Sequence, residues 1–228
     1  EVAFLAVEKG AKIIAQGTPA NPIVFTSNSP NPAPQDWGGL VICGNAITNL
    51  GTNVTAEVTG LTYGGTNPAD NSGILSHIIV KYSGNLINED AEFNGVTFYA
   101  VGSGTTVNNI LVYQGSDDGF EWFGGSVNAT NLAAIGCQDD SFDWTEGWNG
   151  TVSNLYSDQS SATGLSADSR GIEADNNRSL SPRMFEPPRS SNKSPKISMK
   201  QSRKLSHSWE NIPFHFGILA MRATCVRI

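Results

Sequence analysis

The sequence predicts an all-β solenoid with coils of about 22 residues over residues 1–177, followed by an irregular basic tail over 178–228. Three observations predict it. First, Asn94-Gly-Val-Thr-Phe98, Asp118-Gly-Phe-Glu-Trp122, Asp140-Ser-Phe-Asp-Trp144 and Arg170-Gly-Ile-Glu-Ala174 align as one motif at steps of 24, 22 and 30 residues. Second, His77-Ile-Ile-Val80, Asn109-Ile-Leu-Val112, Asn131-Leu-Ala-Ala134 and Asn154-Leu-Tyr-Ser157 form another row at steps of 32, 22 and 23. Two rows in phase require at least two strands in every coil. Third, no long stretch keeps a 3.6-residue apolar period rich in Ala, Leu, Glu and Lys, so helices have no support.

The elements follow in chain order. Glu1 to Val7 reads as a strand. Ala11-Lys-Ile-Ile-Ala15, Pro22-Ile-Val-Phe-Thr26 and Trp37-Gly-Gly-Leu-Val-Ile-Cys-Gly44 are short apolar runs bounded by Gly, Pro or Asn, which is strand punctuation. Asn28 to Gln35 is a Pro-rich loop, too rigid and too poor in donors for a central strand. Residues 51–73 are a weaker excursion rich in Thr, Gly and Asn. Residues 74–176 hold the regular repeats.

At Asn177 the character changes. Residues 1–180 carry five Lys and Arg against 19 acids, and residues 181–228 carry nine against two. The body is thus near −14 and the tail near +7, within a net charge of −7. Two readings of 181–228 stand: a disordered basic tail, or a stretch that is not the natural continuation of the chain. On either reading the tail adds no strand in register.

An acidic body excludes nucleic acid as a general partner, and no apolar run is long enough for a membrane span. Cys43, Cys137 and Cys225 lack metal-site or disulfide spacing, so Cys43 and Cys137 read as small buried residues in strands. The chain opens without Met or a signal peptide, and reads as a mature product or a fragment.

Side chains in a strand alternate between faces. With Phe120, Phe142 and Ile172 inward, Trp122, Trp144 and Ala174 also point in, above Val96 and Phe98. The residues between them form an outward column: Thr97, Glu121, Asp143 and Glu173. The preceding turns add Asp117, Asp118, Asp139, Asp140 and Asp168. Carboxylates in register about 4.8 Å apart repel one another unless something neutralises them. Three readings compete. The turn aspartates can bond their own backbone in Asx turns. Glu121, Asp143, Asp168 and Glu173 can hold Ca²⁺, whose hard charge suits oxygen ligands. One carboxylate, its pKa raised by its neighbours, can act in acid/base catalysis, with Asp117, Asp118, Asp139, Asp140 and Arg170 as the catalytic candidates.

The remaining signals are structural. Asn109, Asn131 and Asn154 read as an asparagine ladder at a corner, with His77 in the same row. Trp37, Trp148 and Tyr63 lie near loops, where they can stack on sugars or simply pack.

The stretches Gly10 to Gly17, Pro22 to Ser27, Trp37 to Ile42, Gly102 to Thr106, Ser116 to Gly125 and Gly171 to Asn177 resemble secreted bacterial surface proteins and lipoproteins built as right-handed parallel β-helices. That resemblance implies fold and export. A looser similarity is to pectate-lyase-like and polygalacturonase-like β-helix enzymes, where an acid-bearing coil is followed one coil later by an Asp-Asp pair. Asp117-Asp118 and Gln138-Asp139-Asp140 stand in those places. The downstream Gly-His-Gly and Arg-Ile-Lys motifs of the polygalacturonases do not occur, and Arg170 is the basic residue beside the acidic column. The resulting expectation is an exported right-handed parallel β-helix that binds extracellular polysaccharide through an acidic, calcium-loaded face. The alternatives are a polysaccharide lyase or glycosidase using the same carboxylates, and a structural or adhesive surface module.

Overall fold

The computed structural model describes residues 2–58, 60–88, 91–176, 196–198 and 226–227. Short apolar segments bounded by glycine and turn residues fold as strands throughout. In chain order they are β1 Leu5–Val7, β2 Ile13–Gln16, β3 Ile23–Phe25, β4 Leu40–Cys43, β5 Val54–Thr55, β6 Thr62–Tyr63, β7 Gly73–Lys81, β8 Leu86–Asn88 and β9 Ala91–Glu92. They continue as β10 Val96–Tyr99, β11 Thr106–Tyr113, β12 Phe120–Phe123, β13 Ala129–Ile135, β14 Phe142–Thr145, β15 Thr151–Asp158, β16 Lys196–Ser198 and β17 Val226–Arg227. Among the described residues there is no helix, and so none long and apolar enough to cross a membrane.

Two parallel sheets account for most strands. The first has the order β14-β12-β10-β4-β1-β17, and the second β16-β15-β13-β11-β7-β2, with β3 also beside β7. The motif spacing appears as register: Phe120 lies opposite Phe142, Val96 opposite Phe120, and Val107 opposite Ala129. One hydrophobic cluster draws on both sheets, with Val96, Phe98, Phe120, Trp122 and Phe142 from the first and Leu75, Ile110, Val112 and Leu132 from the second. The inward aromatics behave as the alternation predicts. Phe98 stacks on Trp122 with centroids 5.6 Å apart, and Trp148 packs against both Trp122 and Trp144 at 5.3 and 5.6 Å. At the end of the row the pattern weakens: Ile172 is half-buried against the core and Ala174 is exposed.

The asparagine row forms a ladder. Asn131 Nδ2 donates to Asn109 Oδ1, and Asn154 Nδ2 donates to Asn131 Oδ1, each at 2.9 Å. His77, Asn109, Asn131 and Asn154 all have φ between 52° and 58°, the left-handed region. Asparagine tolerates that region best among residues with a side chain, and the stacked amides satisfy one another.

The excursion before the regular repeats has a role that the periodicity hides. Residues 45–58 and 60–66, including the antiparallel β5–β6 pair, fold over the outer face of the first sheet. Ala56, Val58, Leu61 and Tyr63 pack there with Phe93 against Ala6, Val41, Cys43, Tyr99, Ala100 and Phe123, a second hydrophobic cluster. Glu146 pins this cover: its carboxylate accepts hydrogen bonds from Tyr63 Oη at 2.8 and 2.9 Å and from Thr48 Oγ1 at 2.9 Å.

Several expectations are corrected. Thr97 leaves the core face but is buried under the cover, and Glu121 and Asp143 are half-buried. Of the two readings of the loop aromatics, packing holds: Tyr63 and Trp148 are buried, and Trp37 is half-buried with its Nε1 donating to Lys81 O at 2.7 Å. Cys43 lies buried in β4 as expected, but Cys137 is buried in the turn after β13 instead of in a strand. A tail without any strand in register is corrected at two segments: β16 pairs with β15 and β17 with β1, both parallel. Cys225 and the rest of the expected irregular tail over 178–228 lie outside the described residues.

Candidate functional site

The repeated motif places its first residue where one repeat hands over to the next. Asp118 Oδ1 accepts from the backbone N–H of Asp140 at 2.9 Å, and Asp140 Oδ1 accepts from the backbone N–H of Arg170. Each aspartate thus caps the following repeat, not its own turn. Glycine follows Asp118 for a steric reason. A Cβ on Gly119 would sit 2.7 Å from Ser141 O and 2.7 Å from Ala134 Cβ, closer than real contacts allow. This tight stacking brings the acidic residues of successive repeats together.

Two groups of carboxylates result. In each, one oxygen per residue lies within 4.8 Å of the others: Asp117, Asp118 and Asp139 form one, and Asp118, Glu121 and Asp143 the other. Asp118 belongs to both. Three side-chain contacts between carboxyl groups run through the site: Asp117 with Glu92, Glu121 with Asp143, and Asp140 with Glu173. Two carboxylates cannot share a hydrogen bond unless one holds a proton, so each pair retains a proton or needs a cation.

The electrostatics follow from burial. Asp117 is pushed up to about 8, first by burial and then by the charge and hydrogen bond of Glu92. Burial raises Asp140 to about 7, with the Glu173 contact adding to it, and raises Asp143 to about 6, opposed by the hydrogen bond to Glu121. Asp118 and Glu121 are raised well above the usual carboxylate range, by burial first and by Asp117 and Asp118 respectively among their neighbours.

The other predicted residues spread outward. Asp139 Oδ1 accepts from Ser166 Oγ at 2.5 Å. Arg170 bridges Asp168 at 3.6 Å and Glu173 at 3.1 Å, all three being solvent-exposed to a large degree. Such exposed pairs contribute little to stability. The structure therefore joins Asp117, Asp118 and Asp139, and joins Glu121 and Asp143 to Asp118. It sets Asp168 apart, beside Arg170 and away from the four proposed metal ligands' centre at Glu121 and Asp143.

Two residues of the site escaped the sequence reading. Glu92 sits in the β8–β9 hairpin, outside the repeat, and carries no periodic signal. Asn94 occupies the first motif position, aligned with Asp118 and Asp140. Its Nδ2 donates to Glu121 Oε2 at 2.5 Å and to Thr97 Oγ1 at 3.3 Å. The alignment marks its position, but a neutral amide does not announce itself among acids.

Elsewhere, a groove of about 520 Å³ runs along the outer face of the second sheet, lined by Ile79, Leu111, Ala133 and Tyr113 beside the asparagine ladder. None of the carboxylates above lines it.

A family model described as a pectate-lyase-like β-helix domain matches residues 1–192. No curated protein and no solved structure matches the chain.

Proposed function

We propose a function from one premise: the chain belongs to the pectate-lyase-like β-helix family. It acts outside the cell or on its surface as a right-handed solenoid that binds extracellular polysaccharide along the acidic edge of the first sheet. Ca²⁺ neutralises the carboxylates of the row. One observation carries this reading. Glu121 and Asp143 lie in register on the parallel strands β12 and β14, and Asp118 and Asp140 occupy matching places in the turns before them. A row with a spacing of about 4.8 Å suits a long polymer of repeating units better than a compact ligand.

Binding to a panel of acidic and neutral polysaccharides, measured by isothermal titration with and without Ca²⁺, tests it. Calcium-dependent binding of an acidic polysaccharide is the expected result. No binding to any member of the panel under either condition overturns it.

A second reading is supported by Asp140, whose pKa of about 7 suits proton transfer near neutral pH and which lies beside Arg170. On that reading the chain is a polysaccharide lyase or glycosidase. Release of reducing ends or of unsaturated products from the same panel separates it from a binding protein.

A further inference from the structure

The outer face of the second sheet carries an aliphatic groove and, at one end of it, a cation without a counter-ion. Strand alternation puts two columns on that face. Ile79, Leu111 and Ala133 lie in register on β7, β11 and β13, and two residues further along lie Lys81, Tyr113 and Ile135. The loop between β2 and β3 supplies a wall through Pro19 and Pro22, and the groove so enclosed holds about 520 Å³. We propose that this groove is a binding site for a free aliphatic carboxylate, a fatty acid of medium chain length, with its tail on Ile79, Leu111, Ala133 and Ile135 and its carboxylate against Lys81.

Charge complementarity selects the head group. Lys81 Nζ lies 5.0 Å from the ring centre of Tyr82 and 5.3 Å from that of Tyr113, and Tyr113 lines the groove. The two rings hold the ammonium at the groove's end. No carboxylate pairs with it, because the ion pairs among the described residues are those of Arg170. Burial lowers the pKa of Lys81, so its charged form lacks stabilisation that an incoming carboxylate supplies. Charge also sets the direction. The column that begins at Lys81 ends at Asp158 on β15, three strand spacings or about 14 Å away. Asp158 accepts from the Ser160 hydroxyl and backbone N–H, which hold its carboxyl below the usual range. An anionic head is attracted at β7 and repelled at β15, so the tail runs from Lys81 toward β13.

The lining favours a hydrocarbon over a sugar. The floor is aliphatic, and the polar side chains along its rim are engaged with one another or with their neighbours. Asn131 Nδ2 donates to Asn109 Oδ1, Asn109 Nδ2 donates to Asn108 Oδ1 at 2.7 Å, and His77 Nδ1 contacts Ser76 Oγ at 2.9 Å. Sugar hydroxyls laid on such a floor lose water without gaining partners, a cost that an alkyl chain does not meet. Ala133, between Leu111 and Tyr156 in its column, is the small side chain that leaves the floor deep. The volume falls within the range of about 300–1,000 Å³ usual for small-ligand sites. None of the acidic row lines the groove, so this site stands apart from the polysaccharide and calcium reading above.

The experiment titrates the full 228-residue chain by calorimetry, in EDTA, with sodium decanoate below its micelle-forming concentration. The expected result is one saturable site per chain, with decanol bound about tenfold more weakly and decyltrimethylammonium more weakly still. Lys81→Met keeps an unbranched stem and removes the charge. It weakens decanoate by about tenfold and leaves decanol unchanged. Ala133→Phe fills the floor and weakens decanoate and decanol alike. Circular dichroism confirms that both variants are folded. Absence of saturable decanoate binding, or an affinity that Ala133→Phe leaves unchanged, overturns the site. Equal binding of decanol and decanoate, with no effect of Lys81→Met, overturns the carboxylate assignment. Sedimentation of the chain without ligand adds one outcome: a dimer that Ala133→Phe dissociates makes the groove an interface between copies and overturns the proposal.

Discussion

Phe142 lies over Phe120 with ring centroids 5.5 Å apart and planes within 11° of parallel, both rings fully enclosed. The pair is the clearest sign of one repeat resting on the next. Replacing Phe142 by Ala removes a core ring that the neighbouring repeats cannot easily replace. We expect a loss of about 3–5 kcal/mol, read from the midpoint of urea unfolding. A loss below about 1 kcal/mol would place the ring outside the working core.

Removal of divalent cations should lower the melting temperature, and added Ca²⁺ should restore it by mass action. Glu121→Gln combined with Asp143→Asn should abolish that response. Melting curves that coincide in chelator and in millimolar Ca²⁺ would leave the aspartates as backbone caps alone.

The cation-free protein should lose stability as pH rises. Asp143, Asp140 and Asp117 hold their protons to about 6, 7 and 8 when folded, against an ordinary value of 3.8. Between about pH 4 and pH 8 the folded state therefore binds more protons than the unfolded chain, and raising pH favours unfolding. Melting temperatures in EDTA buffers across that window should fall steadily, and Ca²⁺ should flatten the decline. A rise over the same window would contradict the burial of these groups.

The cover over the first sheet hangs on a buried carboxylate. Tyr63→Phe removes both hydrogen bonds from the Tyr63 hydroxyl to Glu146 while leaving Glu146 buried. The expected cost is about 1–3 kcal/mol. Hydrogen exchange should show this cover opening more readily, with the strands β10 to β14 little changed. Uniform destabilisation of the whole body would show that cover and sheet unfold as one unit.

Asn131 serves as both a ladder partner and a left-handed residue, with φ of 58°. Asn131→Gly keeps the backbone freedom and loses the amide. Asn131→Ala loses both. Alanine should be worse than glycine by about 1 kcal/mol, and equal midpoints would mean that the ladder amide alone matters.

How much of this was legible in the sequence varies by residue. The strand pairs Val96–Phe120–Phe142 and Ile110–Leu132–Leu155 could be read directly, because parallel stacking in register turns a spatial neighbour into a fixed sequence interval. The inward aromatics and the asparagine ladder followed for the same reason. Asp117, Asp118, Asp139, Glu121 and Asp143 were identifiable as neighbours by their columns, though not which of them share a centre.

Sequence by itself determined the repeating body, its core and the acidic row, since each depends on local alternation and a constant period. Tertiary structure alone decided what happens to that row. The cover and the hairpin bearing Glu92 have no period, so nothing in the chain shows that they fold onto the outer face. Their burial of that face turns Thr97 and Asn94 into enclosed residues and raises the carboxylates that the alternation had assigned to solvent. Burial is a property of what lies above a side chain, and at Glu121 the neighbours above come from segments 27 or more residues away along the chain.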